Sequence, residues 1–161
     1  PSATIYGDLA EKFAPGITSV RVDYRDPRKF DISVYDTLVG VSYLASTGHK
    51  RIALVGHSFG GGAVVISAAP LSPLVKAVAA LSSQTLGARD ADRVCPRPLL
   101  LFHGENDTRL SANCSRLIFS WAKHPKELVI HPGAGHGLIQ CREELRELLS
   151  NWLIRNLADG E

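Results

Sequence analysis

The sequence of 161 residues has no methionine, three cysteines and 7% aromatic residues. Because a complete, unprocessed translation product begins with methionine, we expect this chain to be a fragment or an N-terminally truncated form. Cys95, Cys114 and Cys141 are odd in number and widely spaced, and none belongs to a Cys-X-X-Cys motif. This pattern favours free, mostly buried thiols over a disulfide and is typical of a reducing compartment, so we expect a cytoplasmic protein.

Strong charge and long apolar segments are lacking as well. The formal net charge is +2 and no run of basic residues occurs, so neither nucleic acid nor a membrane surface is predicted as a partner. No stretch reaches the roughly 18–20 uninterrupted apolar residues of a membrane span. The length, 45% hydrophobic content and 21% charged content are those of one globular domain, which we place over residues 1–161. None of these properties predicts the oligomeric state.

Apolar, β-branched runs alternate with helical patterns along the chain. This alternation predicts an α/β fold, a three-layer α/β/α sandwich in which helices cover both faces of a mostly parallel sheet. The predicted strands are Ser19–Tyr24, Arg51–Gly56, Val75–Leu81, Leu99–His103 and Glu127–His131. The predicted helices are a stretch that ends near Phe13, Ile32–Thr47, Phe59–Ala69, Ala112–Lys123 and a last helix with Leu145, Leu148, Leu149, Trp152 and Leu153 on one face.

The most informative motif is Gly56-His57-Ser58-Phe59-Gly60, which follows an apolar strand and precedes a helix. Gly-X-Ser-X-Gly at such a junction is typical of a nucleophile elbow, a tight turn that lifts the serine hydroxyl out of the sheet. Ser58 would need a strained backbone conformation, and the flanking glycines leave room for it. Glycine-rich turns between a strand and a helix also bind phosphates, so this motif alone leaves that alternative open.

Two further polar groups follow the ends of later predicted strands. A serine nucleophile requires a base and a third group that orients the base. His136 lies between two glycines in a loop, which suits a mobile imidazole base, and Asp107 is favoured over Glu105 as the orienting acid. The chain order Ser58, Asp107, His136 is the order found in α/β-hydrolases. Because active-site residues of parallel sheets gather at the carboxyl ends of the strands, we expect these three side chains to meet.

The remaining histidines and one polar turn have simpler interpretations. His57 is expected to pack or hydrogen-bond beside the site, and His103 to make a structural hydrogen bond at the end of its strand. The turn at 82–84 (Ser-Ser-Gln) either lines the pocket or is an ordinary polar turn. A metal site built from His103, Asp107 and His136 is disfavoured, since the spacing matches no zinc motif. No metal or cofactor is therefore predicted.

Three motifs together carry a resemblance to a known superfamily. They are GHSFGG at 56–61, HGENDTRL at 103–110 and GAGHGL at 133–138, and the resemblance spans about residues 3–155. The chain resembles α/β-hydrolases, in particular their small dienelactone-hydrolase-like and carboxylesterase-like members. The resemblance implies a serine esterase acting on a small-molecule acyl substrate, with Ser58 as nucleophile, His136 as general base and Asp107 as orienting acid.

The same resemblance implies an oxyanion hole and a departure from the family pattern. The backbone N–H of Phe59 would supply one oxyanion donor, and a loop after the family's third strand would supply the second. That strand lies centrally in the family's sheet and is expected to be missing here, which would leave a gap beside the strand that carries Ser58. An encoded upstream segment with a His-Gly-rich loop would favour an active enzyme.

Two other kinds of function remain open at this point. One is a non-catalytic or inactive hydrolase-fold fragment that binds a ligand or nothing. The other retains the serine chemistry but changes the bond or the acceptor, as in an acyltransferase or a peptidase relative. Acyl transfer to alcohols and cleavage of a peptide amide would distinguish these two from an esterase.

Overall fold

The computed structural model describes residues 2–13 and 16–158, apart from the side chains of residues 2–5 and 59. The helices are α1 (Ser2–Phe13), α2 (Phe30–Ser46), α3 (Ser58–Ala68), α4 (Asn113–Trp121) and α5 (Arg142–Leu157). The strands are β1 (Ile52–His57), β2 (Val75–Leu81), β3 (Leu99–Gly104) and β4 (Lys126–His131). Three 3₁₀ turns connect them, at Ala69–Leu71, Ala91–Val94 and Ile139–Cys141.

The four strands form one sheet in the order β1-β2-β3-β4, and every neighbouring pair is parallel. Parallel neighbours require a crossover connection, and α3 and α4 provide it after β1 and β3. Consequently the carboxyl ends of all four strands lie at the same edge of the sheet. The predicted α/β fold with a parallel sheet is confirmed.

Helices cover both faces of the sheet, which explains the nearly continuous apolar runs of the central strands. In β3 the side chains alternate between two apolar clusters. Leu99 and Leu101 pack with residues of α2, α3 and α4, whereas Leu100 and Phe102 pack with residues of α1 and α5. The apolar face predicted for the last helix is the face that packs here, because Leu145, Leu149, Trp152 and Leu153 are buried.

One predicted strand, Ser19–Tyr24, is wrong. Residues 17–24 run between α1 and α2 without strand assignment, and β1 is the edge strand of the sheet beside them. A groove of about 800 Å³ lies there, lined by α1, residues 16–22, Tyr24, α2 and β1. Backbone that does not reach a neighbouring strand cannot join its hydrogen-bond ladder, which is why an apolar, β-branched run here forms no strand. Among the described residues no strand pairs with this edge of β1, which corresponds to the gap expected beside the strand that carries Ser58.

All three cysteines are free. Cys141 is buried, whereas Cys95 and Cys114 are partly exposed, so the expectation of mostly buried thiols is only partly met. Within the described residues, no helix is both long and apolar enough to cross a membrane. Helix α1 begins at Ser2 and is joined to α5 by the pair Arg142–Asp8, with Nε and Oδ2 2.8 Å apart.

Candidate active site

The site begins with the tight turn between β1 and α3. Ser58 is the first residue of α3 and has φ = 62°, in the left-handed region that side chains rarely adopt. The turn depends on the close approach of two glycine backbones, since a Cβ atom on Gly56 would overlap the carbonyl of Gly61. This is the strained geometry of a nucleophile elbow, and it presents the hydroxyl of Ser58 to His136.

The three residues expected to meet at the sheet edge are in hydrogen-bond contact. The Oγ atom of Ser58 lies 2.8 Å from Nε2 of His136, and Nδ1 of His136 lies 2.7 Å from Oδ2 of Asp107. Because the carboxylate is an acceptor, Nδ1 carries the proton and Nε2 is free to accept from the serine hydroxyl. The side chain of His136 is 15% exposed and that of Asp107 is fully buried.

Backbone hydrogen bonds between two loops bring Asp107 and His136 together. The N–H of Glu105 donates to the carbonyl of His131, and the N–H of Asn106 donates to the carbonyl of Ala134, at 3.0 and 2.9 Å. Gly104 allows this approach, because a Cβ atom there would overlap the carbonyl of Ala134. The loops after β3 and β4 are thereby held side by side, as their parallel strands are.

The carboxylate of Asp107 is surrounded by N–H donors. Its Oδ1 accepts the backbone N–H groups of Arg109 and Leu110 at 2.8 and 2.9 Å, and its Oδ2 faces Nδ1 of His136 and Nε2 of His103. Burial alone would raise the pKa of Asp107, but the donors of Leu110, His136 and Arg109 hold the pKa below its ordinary value. Asp107 is therefore a stable anion at the inner end of the site.

Two further side chains hold the backbone of His136. Its carbonyl oxygen accepts from Nε2 of His57 at 2.7 Å and from the hydroxyl of Ser82 at 3.2 Å. The centroids of the imidazole rings of His57 and His136 are 5.0 Å apart. Burial lowers the pKa of His57, so its ring is neutral and donates through Nε2. His57 thus occupies the place beside the site that the sequence predicted.

The two carboxylates that the sequence left in competition, Glu105 and Asp107, have different surroundings. Glu105 is exposed, and its Oε1 lies 4.0 Å from a guanidinium nitrogen of Arg116. By contrast, Oδ2 of Asp107 lies 2.7 Å from Nδ1 of His136. Phe59 lies in the first turn of α3, as expected, but its side chain lies outside the described residues. In the part of the chain that the structure describes, no group of three His, Cys, Asp or Glu side chains could hold a metal ion.

Sequence reasoning missed the precise partners of Ser82 and His103. Ser82 follows β2 and has φ = 45°, which directs its hydroxyl to the carbonyl of His136. A serine directly after a buried strand, at the edge where Ser58 was expected, is a signal that could have indicated this contact. For His103 the signal is a polar residue at the end of the apolar run Leu99–Phe102.

A protein-family model matches most of this sequence. The profile described as "Dienelactone hydrolase family" matches residues 17–150, which is most of the chain and includes all three contacting residues. The chain belongs to the dienelactone hydrolase family. No curated protein matches the sequence significantly. The family assignment is therefore not narrowed to a particular reaction.

Solved structures show the same fold as this family member. The esterase domain of a Rhodothermus marinus protein has a TM-score of 0.80 at 24% identity, covering 98% of this chain and 80% of that one. Est1E from Butyrivibrio proteoclasticus has a TM-score of 0.78 at 19% identity, covering 98% and 82%. A dienelactone hydrolase from Anabaena variabilis has a TM-score of 0.72 at 23% identity, covering 80% of this chain and 62% of that one. At these identities the likeness establishes the α/β-hydrolase fold, and the family is one of hydrolases.

Proposed function

We propose that the chain is a serine hydrolase that cleaves a carboxylic ester or a related acyl bond of a small molecule. The observation that carries this proposal is the unbroken series of contacts from Ser58 Oγ to His136 Nε2 and from His136 Nδ1 to Asp107 Oδ2, at 2.8 and 2.7 Å. Nucleophile, base and orienting acid stand in the order and geometry that acyl transfer requires. Membership of a hydrolase family supports the same reaction class.

The proposed reaction has two halves. In the first, Oγ of Ser58 attacks the acyl carbonyl while its proton passes to Nε2 of His136, and the imidazolium then gives that proton to the departing alkoxide. In the second, His136 takes a proton from water, the resulting hydroxide attacks the acyl-enzyme, and the proton returns to Ser58 as the acid leaves. Asp107 holds the Nδ1–H tautomer and stabilises the imidazolium that forms in each half.

Stabilisation of the tetrahedral oxyanion is assigned to the first turn of α3. The backbone N–H of Phe59 follows the nucleophile directly, and the positive end of the helix dipole faces the same region. Loss of one oxyanion donor costs about 10²–10³ in rate, so a chain with a single donor would still acylate slowly.

Labelling with a fluorophosphonate followed by intact mass spectrometry tests this proposal. We expect one adduct per chain on the wild type and none on Ser58→Ala. The matched control is Ser120→Ala, which removes an exposed hydroxyl that donates to the carbonyl of Leu117 and should label like the wild type. Hydrolysis of p-nitrophenyl acetate by the same three proteins measures turnover. A folded wild type that neither labels nor hydrolyses would overturn the proposal and favour a ligand-binding or inert protein.

A further inference from the structure

One buried histidine near the site has contacts that the proposed reaction does not use. His103 is the fifth residue of β3, and its side chain is fully buried beneath the loop that carries Asp107. Burying an imidazole among leucines is costly unless both ring nitrogens find partners. Nδ1 lies 2.8 Å from Oγ of Ser115, and Nε2 lies 3.1 Å from Oδ2 of Asp107 and 2.9 Å from the carbonyl of Leu110.

These contacts determine which nitrogen of His103 carries the proton. Nε2 faces two acceptors, a carboxylate oxygen and a carbonyl, so it must be the N–H nitrogen. Nδ1 faces a hydroxyl, which can donate to it. Burial lowers the pKa of His103 below its ordinary value, in agreement with a neutral ring that has one donor and one acceptor nitrogen. Ser115 on α4 therefore fixes the ring from one side, and the ring donates to Asp107 from the other.

The two imidazoles share a single carboxylate oxygen. Oδ2 of Asp107 receives Nδ1–H of His136 at 2.7 Å and Nε2–H of His103 at 3.1 Å, while Oδ1 is occupied by two backbone N–H groups. With only the backbone donors, the carboxylate could still rotate about its bond to Cβ and move Oδ2 out of line with His136. A second donor on Oδ2 restricts that rotation, because the rotated carboxylate would lose its hydrogen bond to Nε2 of His103 and leave Nε2 with the carbonyl of Leu110 alone.

We infer that His103 is a positioning residue, which with Ser115 holds Oδ2 of Asp107 in line with Nδ1 of His136. This inference rests on the proposed function for its effect on rate, but not for its effect on the His136–Asp107 hydrogen bond. The hydrogen bonds of His103 go to Ser115, Asp107 and Leu110 and not to Ser58 or His136, so it acts through Asp107 and the loop that carries it. Substrate binding should be independent of it, and the chemical step should not be.

Substitutions that separate the donor from the bulk of the ring test the inference. His103→Leu keeps an apolar side chain of similar size and removes the donor to Oδ2. His103→Gln places an amide N–H near the position of Nε2 and so restores a donor. The matched control is His131→Leu, which removes another imidazole at a strand end, one that pairs with Glu144 and does not contact Asp107.

We expect His103→Leu to lower kcat for p-nitrophenyl acetate about 10²-fold at unchanged KM, the size of effect that a misplaced catalytic group produces. His103→Gln should recover at least tenfold of this loss, and His131→Leu should stay within about twofold of the wild type. In an Asp107→Asn background, His103→Leu should cause no further loss, because the group through which it acts is already altered. Equal kcat in wild type and His103→Leu, or the same loss in the Asp107→Asn background, would overturn the inference.

A second measurement needs no turnover and keeps the two proposals separable. The Nδ1–H proton of His136, seen by NMR in ¹⁵N-labelled protein, reports its hydrogen bond to Asp107 directly. We expect this signal in the wild type, in His103→Gln and in His131→Leu, and its loss or broadening in His103→Leu. An unchanged signal in folded His103→Leu would overturn the positioning role. A chain that shows these signals but does not react with a fluorophosphonate would support the positioning role and overturn the proposed function.

Discussion

Strand β1 meets β2 along one edge and the groove along the other, and the two sides are built differently. On the first side all six residues pair with β2, with one register shift between Ile52 and Ala53, and the strand leads directly into the turn that presents Ser58. On the second side the strand borders the groove, which has a volume of about 800 Å³ and is also lined by residues 16–22 and α1. The same strand thus borders a tightly connected site at its carboxyl end and an open space along its flank.

The difference shows which part of the chain builds the candidate site. Contacts that orient the side chains of Ser58, His136 and Asp107 come from residues 57–136, on β1 and the three strands beyond it. On the groove side, the backbone N–H of His57 donates to the phenol oxygen of Tyr6, and burial raises the pKa of this phenol. We conclude that the site can be assembled while the flank of β1 remains open.

The largest expected effect concerns the connected side. Asp107→Asn should lower kcat for p-nitrophenyl acetate about 10⁴-fold, because the amide favours the wrong tautomer of His136. Glu105→Gln is the matched control, since Glu105 is an exposed carboxylate two residues away in the same loop, and it should change kcat less than twofold. Similar losses in both variants would show that the loop as a whole, and not the Asp107 contact, supports activity.

Amide exchange compares the two edges of β1 directly. The N–H of Ile52 donates to Leu74 beside β2, so by alternation the N–H groups of Leu54 and Gly56 face β2 and those of Ala53 and Val55 face the groove. Opening of paired core strands costs several kcal/mol, so we expect exchange on the order of 10³-fold slower at Leu54 and Gly56 than at Ala53 and Val55. Equal protection of all four amides by NMR would mean that another backbone pairs with the groove edge.

The elbow is expected to be sensitive to a single methyl group. Gly56→Ala would push a Cβ atom into the backbone of Gly61, and neither backbone can yield without moving Ser58. We expect a loss of about 3 kcal/mol in the free energy of unfolding, measured by urea denaturation, together with loss of fluorophosphonate labelling. Retention of both stability and labelling would show that the close approach of the two glycines is not required.

Local patterns in the sequence were sufficient for most of the fold and for the candidate residues. Four strands and all five helices were predicted to within three residues at most ends, because apolar periodicity is a local property of the chain. The meeting of Ser58, Asp107 and His136 was predicted because parallel strands align their carboxyl ends, a rule that needs no knowledge of side-chain packing. The strained φ of Ser58 followed from the glycines around it.

What the sequence could not supply were pairings between distant residues. Ser19–Tyr24 has the composition of a strand, but strand formation depends on a neighbouring backbone, and no described strand pairs with β1 on that side. In the same way, the local sequence around His103 indicates a buried polar group but not that its partner is the carboxylate that also binds His136. Non-local geometry decides both cases.

Acid sensitivity should arise on the site side. His103 is buried and neutral, with a pKa below the ordinary 6.5, so the unfolded chain binds a proton there that the folded chain does not. Stability from this group is therefore complete above pH 6.5 and is lost as the pH falls toward the lowered pKa. Over that window His103→Gln should flatten the dependence of unfolding free energy on pH by up to about 1.4 kcal/mol per pH unit. Parallel curves from urea denaturation between pH 7.5 and 5 would show that His103 has the same pKa in the folded and unfolded chain, contrary to a ring held neutral by burial.

The smallest expected effect lies on the groove side. Gly7 is an exposed residue of α1 with an ordinary helical conformation, and a Cβ atom there would meet no other atom within 4 Å. Gly7→Ala should therefore raise the free energy of unfolding by about 0.5–1 kcal/mol, because alanine loses less backbone freedom on forming a helix. Labelling of Ser58 should not change, since α1 does not orient the side chains of the site. A loss of stability or labelling would mean that something packs closely against α1 from the groove, and the flank of β1 would then not be open.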